Sequence, residues 1–499
     1  MKEFQLKFIT NKQTIRSLKL LSALQTRSDF TLKELANITN NSDRTTLTDI
    51  QRIKEYFASS IFLESTHNNG YRFDILSLDE YNTKKRALLE EEPLFKIIES
   101  IFFSECHTLN EWSEILFTTV STLSKQLAII QKILSDYEIT LLKTPIDFLG
   151  NEINIRQFFH DFYYESDITP HTILPSLAVQ EISSTLRKDN FFAEYSYISF
   201  TDFNYIVFIT LQRFSNNHTI NNLEPEAQFL KEYLVNHLNT VDLHTVKFML
   251  SDYFNVQLSE LEATYLYTQL ITRRSVLSLE SEKMFIDRFN LWDEPKQIAQ
   301  AYADTIFVPL EDRYQSIIFF ESFFINTKIK QVFAPVLNQN LLDVTNYSKK
   351  IFPNHFAITR KFIVDNLSEI YGLSVKQIDD ISADLVLYTD SIRNFYWKKD
   401  RNIAVLLEGN RYITENIRSL IQRYIGKHYP LYFPDVTQLS VDYLKENHID
   451  LIITNYSEYL VNLDYGIEIV LFEMIPTKRD WKHLFRILTP SLMSKSKFF

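Results

Sequence analysis

Glycine is the residue whose scarcity most constrains this sequence, because only 6 of the 499 residues are glycine. They stand singly, at Gly70, Gly150, Gly372, Gly409, Gly426 and Gly466. Dinucleotide-binding folds and phosphate-binding loops need clustered glycines so that the backbone can approach phosphate groups, and a nucleotide-dependent enzyme is therefore disfavoured. Since glycine weakens helix interiors by about 1 kcal/mol, its scarcity favours long helices joined by short turns. The predicted fold class is multidomain and mainly α.

Length and cysteine content narrow the class of protein further. A chain of 499 residues exceeds what one hydrophobic core usually serves, so several domains are expected. Cys106, the single cysteine, permits neither an internal disulfide nor a multi-cysteine metal site. The first residues lack the pattern of a secretory signal, and no apolar run approaches the roughly 18 residues of a membrane span. We expect a cytoplasmic protein without a metal or other cofactor.

Charge is unevenly distributed along the chain. The net charge of −11 by itself argues against a nucleic-acid partner, because phosphate binding depends on lysine and arginine. Residues 1–75, however, are basic on balance, whereas the remainder is acidic. A basic head on an acidic body fits a protein that binds DNA at one end.

Residues 1–78 have the pattern of a winged helix-turn-helix domain. Apolar residues at helical spacing predict a first helix from Thr14 to Thr26. Thr31 stands three residues before Glu34, which is the spacing of a capping box and predicts a short second helix. Ser42 is the expected N-cap of a third helix, and the Asn69-Gly70 turn predicts a two-stranded wing. The residues of the third helix expected to pack inward are Leu47, Ile50, Ile53 and Phe57.

In this fold the third helix enters the major groove with its N-terminal side chains toward the bases. The residues predicted to bind DNA are Ser42, Arg44, Thr45, Thr46 and Arg52. Arg44 fits a contact with guanine or phosphate, and the alternative is a solvated side chain at the helix start. Asp49 is also expected to be exposed, but to pair with a neighbour and not to touch DNA.

The same pattern repeats in residues 85–165, after a charged connector around Lys84-Lys85-Arg86. The sequence LNEWSEILF predicts a second helix, VSTLSKQLAIIQKILSDY a third helix with Ser121 at its start, and the strands around Pro145 a second wing. The third helix is expected to bury Leu123, Leu127, Ile130 and Leu134. The residues predicted to face DNA are Ser121, Thr122, Lys125, Gln126 and, in the wing, Lys143. Several acidic residues in this unit favour an assisting role.

The order and spacing of these segments resemble the Mga family of transcription regulators, the Mga/AtxA-like proteins of Gram-positive bacteria. TLKELANITNNSDRTTLTDIQRI resembles the family's first helix-turn-helix. STLSKQLAIIQKIL and FLGNEINIRQFFHDF resemble its second unit and the start of the next region. The resemblance implies that the helical residues 168–285 and 286–398 are a pair of phosphotransferase-system (PTS) regulatory domains.

In such domains, histidines accept phosphoryl groups from carbohydrate-uptake enzymes. His218, with Arg213 shortly upstream, matches the first acceptor of the first domain, so PTS phosphocarrier proteins are candidate partners. The second acceptor position of the first domain holds Gln269, and that of the second domain holds Thr389 or Asp390. The first acceptor region of the second domain, FFINTKIKQ, has no histidine, so most of the phosphorylation pattern is absent. The alternative for His218 is a structural role. The histidines expected at the surface or in caps are His237, His244 and His355.

Strands and helices alternate in residues 400–499, which predicts a small parallel α/β domain. This domain resembles the IIB components of the sugar phosphotransferase system. Such enzymes carry phosphate on a cysteine at the end of the first strand, where this chain has LLEGNRYI, so that catalysis is excluded. The resemblance implies homodimerisation through this domain.

These observations favour a homodimeric transcription regulator that binds double-stranded DNA, controls virulence or carbohydrate-linked genes and is modulated by PTS phosphorylation. No arrangement of carboxylates, serine or histidine residues indicates an enzyme. The alternatives are a PTS-linked adaptor that does not bind DNA and, less favoured because the N-terminal part is helical, an RNA-binding antiterminator.

Overall fold

The computed structural model describes residues 3–26, 30–65, 70–165, 167–187, 199–223, 225–228, 231–232, 257–274, 278–397, 401–426, 429–434, 438–456 and 467–488. His237, His244 and the tip of the first wing at residues 66–69 lie outside these ranges. Two compact units divide the chain. The larger contains Met1–Phe307, Gln315–Lys349 and Asn354–Leu387, and the smaller contains Val308–Tyr314, Lys350–Pro353 and Tyr388–Phe499. The division into five domains stays a prediction.

A winged helix-turn-helix unit lies near the N-terminus, as the caps and the apolar spacing predict. Its strands form an antiparallel sheet in the order β1-β3-β2, in which Leu63 pairs with Phe73. The two-residue strand β1 was not predicted, because so short a segment carries no periodic signal. The elements are α1 (Glu3–Leu6), α2 (Lys12–Thr26), β1 (Phe30–Thr31), α3 (Leu32–Thr39), α4 (Asp43–Phe57), β2 (Ile61–Ser65), β3 (Gly70–Ile75) and α5 (Leu78–Ala87).

This unit has a hydrophobic core of its own. Leucines of α2 and Leu35 of α3 pack there against Ile50, Ile53 and Phe57 of α4. Tyr81 of α5 is fully buried in the same core. The segment predicted to be a charged connector is therefore part of helix α5. This helix buries Tyr81 in the core and carries the basic residues Lys84, Lys85 and Arg86 in its last turn.

The second winged unit follows, with the strands β4 and β5 paired antiparallel. Leu123, Leu127, Ile130 and Leu134 of α8 are buried as predicted. The N-cap of α8 is Thr119, two residues before Ser121, because the hydroxyl of Thr119 accepts the hydrogen bond from the Thr122 amide. The elements are α6 (Pro93–Phe103), α7 (Leu109–Ile115), α8 (Val120–Leu134), β4 (Thr140–Lys143), β5 (Ile146–Leu149) and the following α9 (Glu152–Tyr163).

Unlike the first winged unit, the second shares its core with the helices that follow it. Phe158 of α9 contacts Phe148 of β5 on one side and Phe8, near the N-terminus, on the other. Residues of this single core range from Phe4 to Leu337. The second winged unit is therefore built into the helical region.

The region after α9 is helical, as predicted. Its described helices are α10 (Leu177–Arg187), α11 (Phe200–Ser215), α12 (Glu260–Thr272), α13 (Leu279–Phe289), α14 (Glu294–Thr305), α15 (Leu310–Phe333), α16 (Leu342–Ile351), α17 (Pro353–Asn366) and α18 (Val375–Tyr396). At the acceptor positions that lack histidine, Gln269 is buried, and of the two alternatives in the second domain Thr389 is buried and Asp390 is half-buried.

The C-terminal part is a small α/β domain with a parallel sheet in the order β7-β6-β8-β9, as predicted. Alternate residues of β6 and β8 pack on opposite faces: Ile403 and Ile453 pack with α19 and α21, and Ala404 and Ile452 with α20. Strand β7 has two residues and was not predicted. The elements are β6 (Asn402–Leu406), α19 (Arg411–Tyr424), β7 (Leu431–Tyr432), α20 (Val441–Glu446), β8 (Ile449–Thr454), β9 (Glu468–Leu471) and α21 (Lys478–Leu488).

Candidate nucleic-acid interface

The turn between α3 and α4 is fixed by three caps. Thr31 and Glu34 form the predicted capping box at the start of α3. Asn40 ends α3 in the left-handed conformation, with φ 54°, which asparagine tolerates better than most residues. Ser42 caps α4 by accepting a hydrogen bond from the Thr45 amide at 3.2 Å. The turn therefore sets the direction in which α4 leaves α3.

A buried ion pair fixes α4 against α2. The Asp49 carboxylate is buried and accepts hydrogen bonds from Arg16 Nε at 2.5 Å and Arg16 Nη2 at 3.1 Å. Asp49 was expected to be exposed, which is wrong, and to pair with a neighbour, which is confirmed. This pair adds to the apolar contacts of Ile50 and Ile53 and fixes the rotation of α4 about its axis.

One face of α4 remains in solvent and projects away from the core. It carries Arg44, Leu47, Thr48 and Gln51, which are spaced three and four residues apart and are all exposed. The prediction that Leu47 packs inward is wrong, since 51% of its surface is accessible. The sequence analysis did not select Leu47, Thr48 or Gln51 as DNA-binding residues. Their spacing of three, four and seven residues from Arg44 would have placed them on the same helix face. This face offers one cation, hydrogen-bonding groups and an apolar side chain, which is the mixture that reads base edges.

The predicted DNA-binding residues of the first unit differ in placement. Arg44 is exposed, and its side chain has no hydrogen bond or ion pair with another described residue. Ser42 is exposed and Thr45 half-buried, and their hydroxyls bond to each other at 2.9 Å. Arg52 is exposed, with its guanidinium 3.9 Å from Asp49. The prediction that Thr46 is exposed is wrong, because Thr46 lies four residues before Ile50 on the buried face.

The wing beside α4 carries balanced charge. Lys54 of α4 lies 3.5 Å from Glu64 of β2, and Arg72 of β3 lies 2.8 Å from Asp74. Exposed pairs of this kind contribute little to stability, so both cations can exchange their partners for phosphate at small cost.

The second winged unit presents a weaker version of this surface. Ser121, Thr122 and Lys125 of α8 are exposed, and so is Lys143 at the end of β4. Gln126 is half-buried, and its Oε1 has no hydrogen-bond partner in the described part of the chain. That these residues face DNA stays a prediction, and the arginine of the first unit has no counterpart among them.

His218 lies at the junction of α6, α9 and α11. Its Nε2 is 3.0 Å from Ser104 Oγ, and its carbonyl accepts a hydrogen bond from Arg156 Nη2 at 3.1 Å. Burial and the neighbouring Arg213 lower the pKa of His218, so its imidazole is neutral at pH 7. Arg213 is buried and bonds Glu152 through Nε and Nη2, both at 2.9 Å. Its Nη1 has no partner among the described residues, and Arg213 lines the same cavity of about 620 Å³ as His218.

Comparison with known proteins agrees with this geometry. Residues 16–72 match the model of an HTH domain, and residues 81–163 match the Mga helix-turn-helix domain. The predicted resemblance to Mga-like regulators is thereby confirmed. The Mga match itself covers the second winged unit, and the first unit matches an HTH domain.

Curated relatives of this chain are named as regulators. A Streptococcus pneumoniae serotype 4 protein that carries the name of a trans-acting regulator is 29% identical over 163 residues. The Bacillus anthracis capsule synthesis positive regulators AcpA and AcpB are 25% and 23% identical over 156 residues. Each match spans about a third of this chain and 32% of the relative. No helix among the described residues is both long and apolar enough to cross a membrane.

Proposed function

We propose that this protein is a transcription regulator that binds double-stranded DNA through the exposed face of α4. The observation that carries the proposal is the orientation of this helix: Asp49, Ile50 and Ile53 anchor it to the core, and the opposite face, with Arg44 and Gln51, is left in solvent. The match of residues 16–72 to an HTH domain and the names of the relatives support the same conclusion.

The second winged unit assists on neighbouring phosphates through Lys125 and Lys143. It carries lysines and short hydroxyl side chains but no exposed arginine on its third helix, which favours contacts to the backbone over base readout. In this proposal the C-terminal α/β domain supplies homodimerisation, and two copies place two winged pairs on one DNA site.

The test is a salt titration of the affinity of the full chain for AT-rich and GC-rich duplexes of about 30–40 base pairs. Arg44→Ala combined with Arg52→Ala removes two cations from each α4, and therefore four from a dimer on one DNA site, so we expect weaker binding and a slope of log affinity against log salt smaller by about 4. The matched control, Lys296→Ala with Lys361→Ala, removes two exposed lysines from α14 and α17 and should change neither quantity.

Unchanged affinity and salt slope in the α4 variant would contradict the assignment of Arg44 and Arg52. No binding of the unmodified chain at low salt would contradict DNA binding itself and favour the adaptor. Preferential binding of an RNA hairpin would favour the antiterminator.

We further infer that phosphorylation of His218 by PTS phosphocarrier proteins modulates this activity. The neutral imidazole is the form that accepts a phosphoryl group, and Arg213 Nη1 on the same cavity offers it a charged donor. A phosphoryl group on Nε2 would replace the contact with Ser104, which follows α6 of the second winged unit.

A further inference from the structure

A second polar cavity, of about 340 Å³, lies in the larger compact unit between α9, α12, α15 and α18. The side chains that matter on its wall are Gln269, Arg273, Lys330, Asn340 and Asp384. Its volume is at the lower end of the range for small-molecule sites, which restricts any occupant to a small metabolite.

Lys330 brings a positive charge to this cavity without a direct partner. Its ammonium has no hydrogen bond and no ion pair within 4.0 Å among the residues that the structure describes. Asp384, an acidic neighbour on the wall, accepts a hydrogen bond from Asn340 Nδ2 at 2.6 Å. Burial lowers the pKa of Lys330 to about 8, because the protein interior solvates its charge poorly.

Gln269 adds a second donor without a partner. The side chain is buried, and its Nε2 has no hydrogen-bond partner in the described ranges. Its Oε1 accepts from Arg273 Nε at 2.9 Å, which orients the amide. A buried donor left unsatisfied costs about 1–3 kcal/mol, so a group that accepts from it is strongly favoured.

Two carboxylates on the wall already accept hydrogen bonds from neighbouring side chains. Asp161 accepts hydrogen bonds from Tyr137 Oη at 2.6 Å and from Gln157 Nε2 at 2.7 Å. Burial raises the pKa of Asp384 to about 6, and Asn340 donates to it. Glu165 is a third carboxylate on this wall. Lys330 Nζ and Gln269 Nε2 are donors on the wall that have no hydrogen-bond partner among the described residues, and they match a ligand group that accepts hydrogen bonds.

We propose that this cavity binds a small metabolite through an oxyanion group, a carboxylate or a phosphate, that accepts hydrogen bonds from Lys330 Nζ and Gln269 Nε2. Such an anion pairs with the ammonium and satisfies the amide in one step. The proposal goes beyond DNA binding and does not depend on it.

The position of the cavity makes its occupant an effector of the second winged unit. Asp161 of α9 lies on the wall and holds Tyr137, three residues after the end of α8, in a buried hydrogen bond. In this proposal a bound oxyanion changes the electrostatic potential at Asp161. It thereby alters the hydrogen bond from Tyr137, which positions the end of α8.

The test follows the melting temperature of the full chain in sodium phosphate and in sodium acetate, against sodium chloride at equal ionic strength. We expect a saturable rise with at least one of the two probes. A response to phosphate alone identifies a phosphate-bearing ligand, and a response to acetate alone identifies a carboxylate.

Lys330→Met should weaken the binding of the effective probe at least tenfold, because it removes the charge and keeps the shape of the side chain. Lys361→Met, which removes an exposed lysine of α17, is the matched control.

Gln269→Glu serves as a second variant if Lys330→Met does not fold. It is nearly isosteric, and its added negative charge should also weaken binding at least tenfold. The absence of a saturable response to both probes would overturn the proposal. Equal binding by the unmodified chain and by either folded variant would overturn it as well, and would show an adventitious ion only.

Discussion

Thr46 and Leu47 show that the position of a residue on a helix outweighs its type. By type, Leu47 was placed in the core and Thr46 on the DNA face. The structure reverses both, because Ile50, Ile53 and Phe57 fix the buried face, and Thr46 lies on the line that these residues continue toward the N-terminus. Leu47 is rotated by about 100° from Thr46 and so reaches solvent. A stricter use of the helical period would have found both from the sequence.

His218 carries the prediction that belongs to a single side chain. Incubation with phosphoenolpyruvate and the purified PTS phosphotransfer proteins should label the full chain, and His218→Ala should abolish the label. The reason is that His218 is neutral at pH 7 and shares its cavity with the unpartnered Nη1 of Arg213. His355→Ala is the control, because His355 contacts Tyr302 Oη at 3.2 Å and should not carry the label.

Retention of the label in His218→Ala would assign phosphorylation to another residue. No label on the unmodified chain would assign His218 the structural role, in which it only holds Ser104 and the Arg156 guanidinium in place.

At the scale of elements, the signals with a local physical cause were readable from the sequence. Thr31 with Glu34 and Ser42 identify the helix starts because each side chain satisfies a free amide within three residues. β1 and β7 were not readable, because a two-residue strand is defined by its partner and not by its own sequence. Helix α5 was not predicted because its charged residues suggested a linker. The buried side chain of Tyr81 packs this helix against the core of the first winged unit.

The two faces of helix α4 have different roles in this proposal: the buried face stabilises the first winged unit, and the exposed face binds DNA. Leu47→Ala removes an exposed side chain, so we expect the free energy of unfolding to change by less than about 0.5 kcal/mol while the affinity for DNA falls. Ile53→Ala removes a buried side chain and should lower the free energy of unfolding by about 2–5 kcal/mol. Urea unfolding and DNA binding, measured on both variants, test this division. A large loss of stability in Leu47→Ala would show that Leu47 is covered in the folded protein.

At the scale of the molecule, the two winged units differ in a way that their sequences did not reveal. Both have the helix, turn and strand signals of the fold, and both were predicted. The first has its own core, whereas the second shares one with α9, α11 and α12. Contacts between residues more than one hundred positions apart decide which helix covers a given apolar face. The local periodicity of the sequence does not predict such contacts.

A buried ion network is the most specific of these long-range contacts and carries the last prediction. Arg156 of α9 is fully buried and bonds Glu262 of α12 through Nη1 at 2.5 Å and Nη2 at 3.0 Å. Glu262→Gln leaves the guanidinium without its full counter-charge, which should cost about 3–5 kcal/mol. Because α9 shares its core with β5, we expect faster amide hydrogen exchange in residues 146–163 and unchanged exchange in residues 32–57.

Ile53→Ala provides the matched comparison, since its effect should be the reverse: faster exchange in residues 32–57 and little change in residues 146–163. Equal acceleration of both segments by either variant would show that the two winged units open as one cooperative body. The opposite result, a separate response of each, would mean that a signal received by the helical region reaches DNA first through the second winged unit, because α8, β4 and β5 of that unit share a core with α9 and α12, whereas the first unit joins this core mainly through α1 and Leu18.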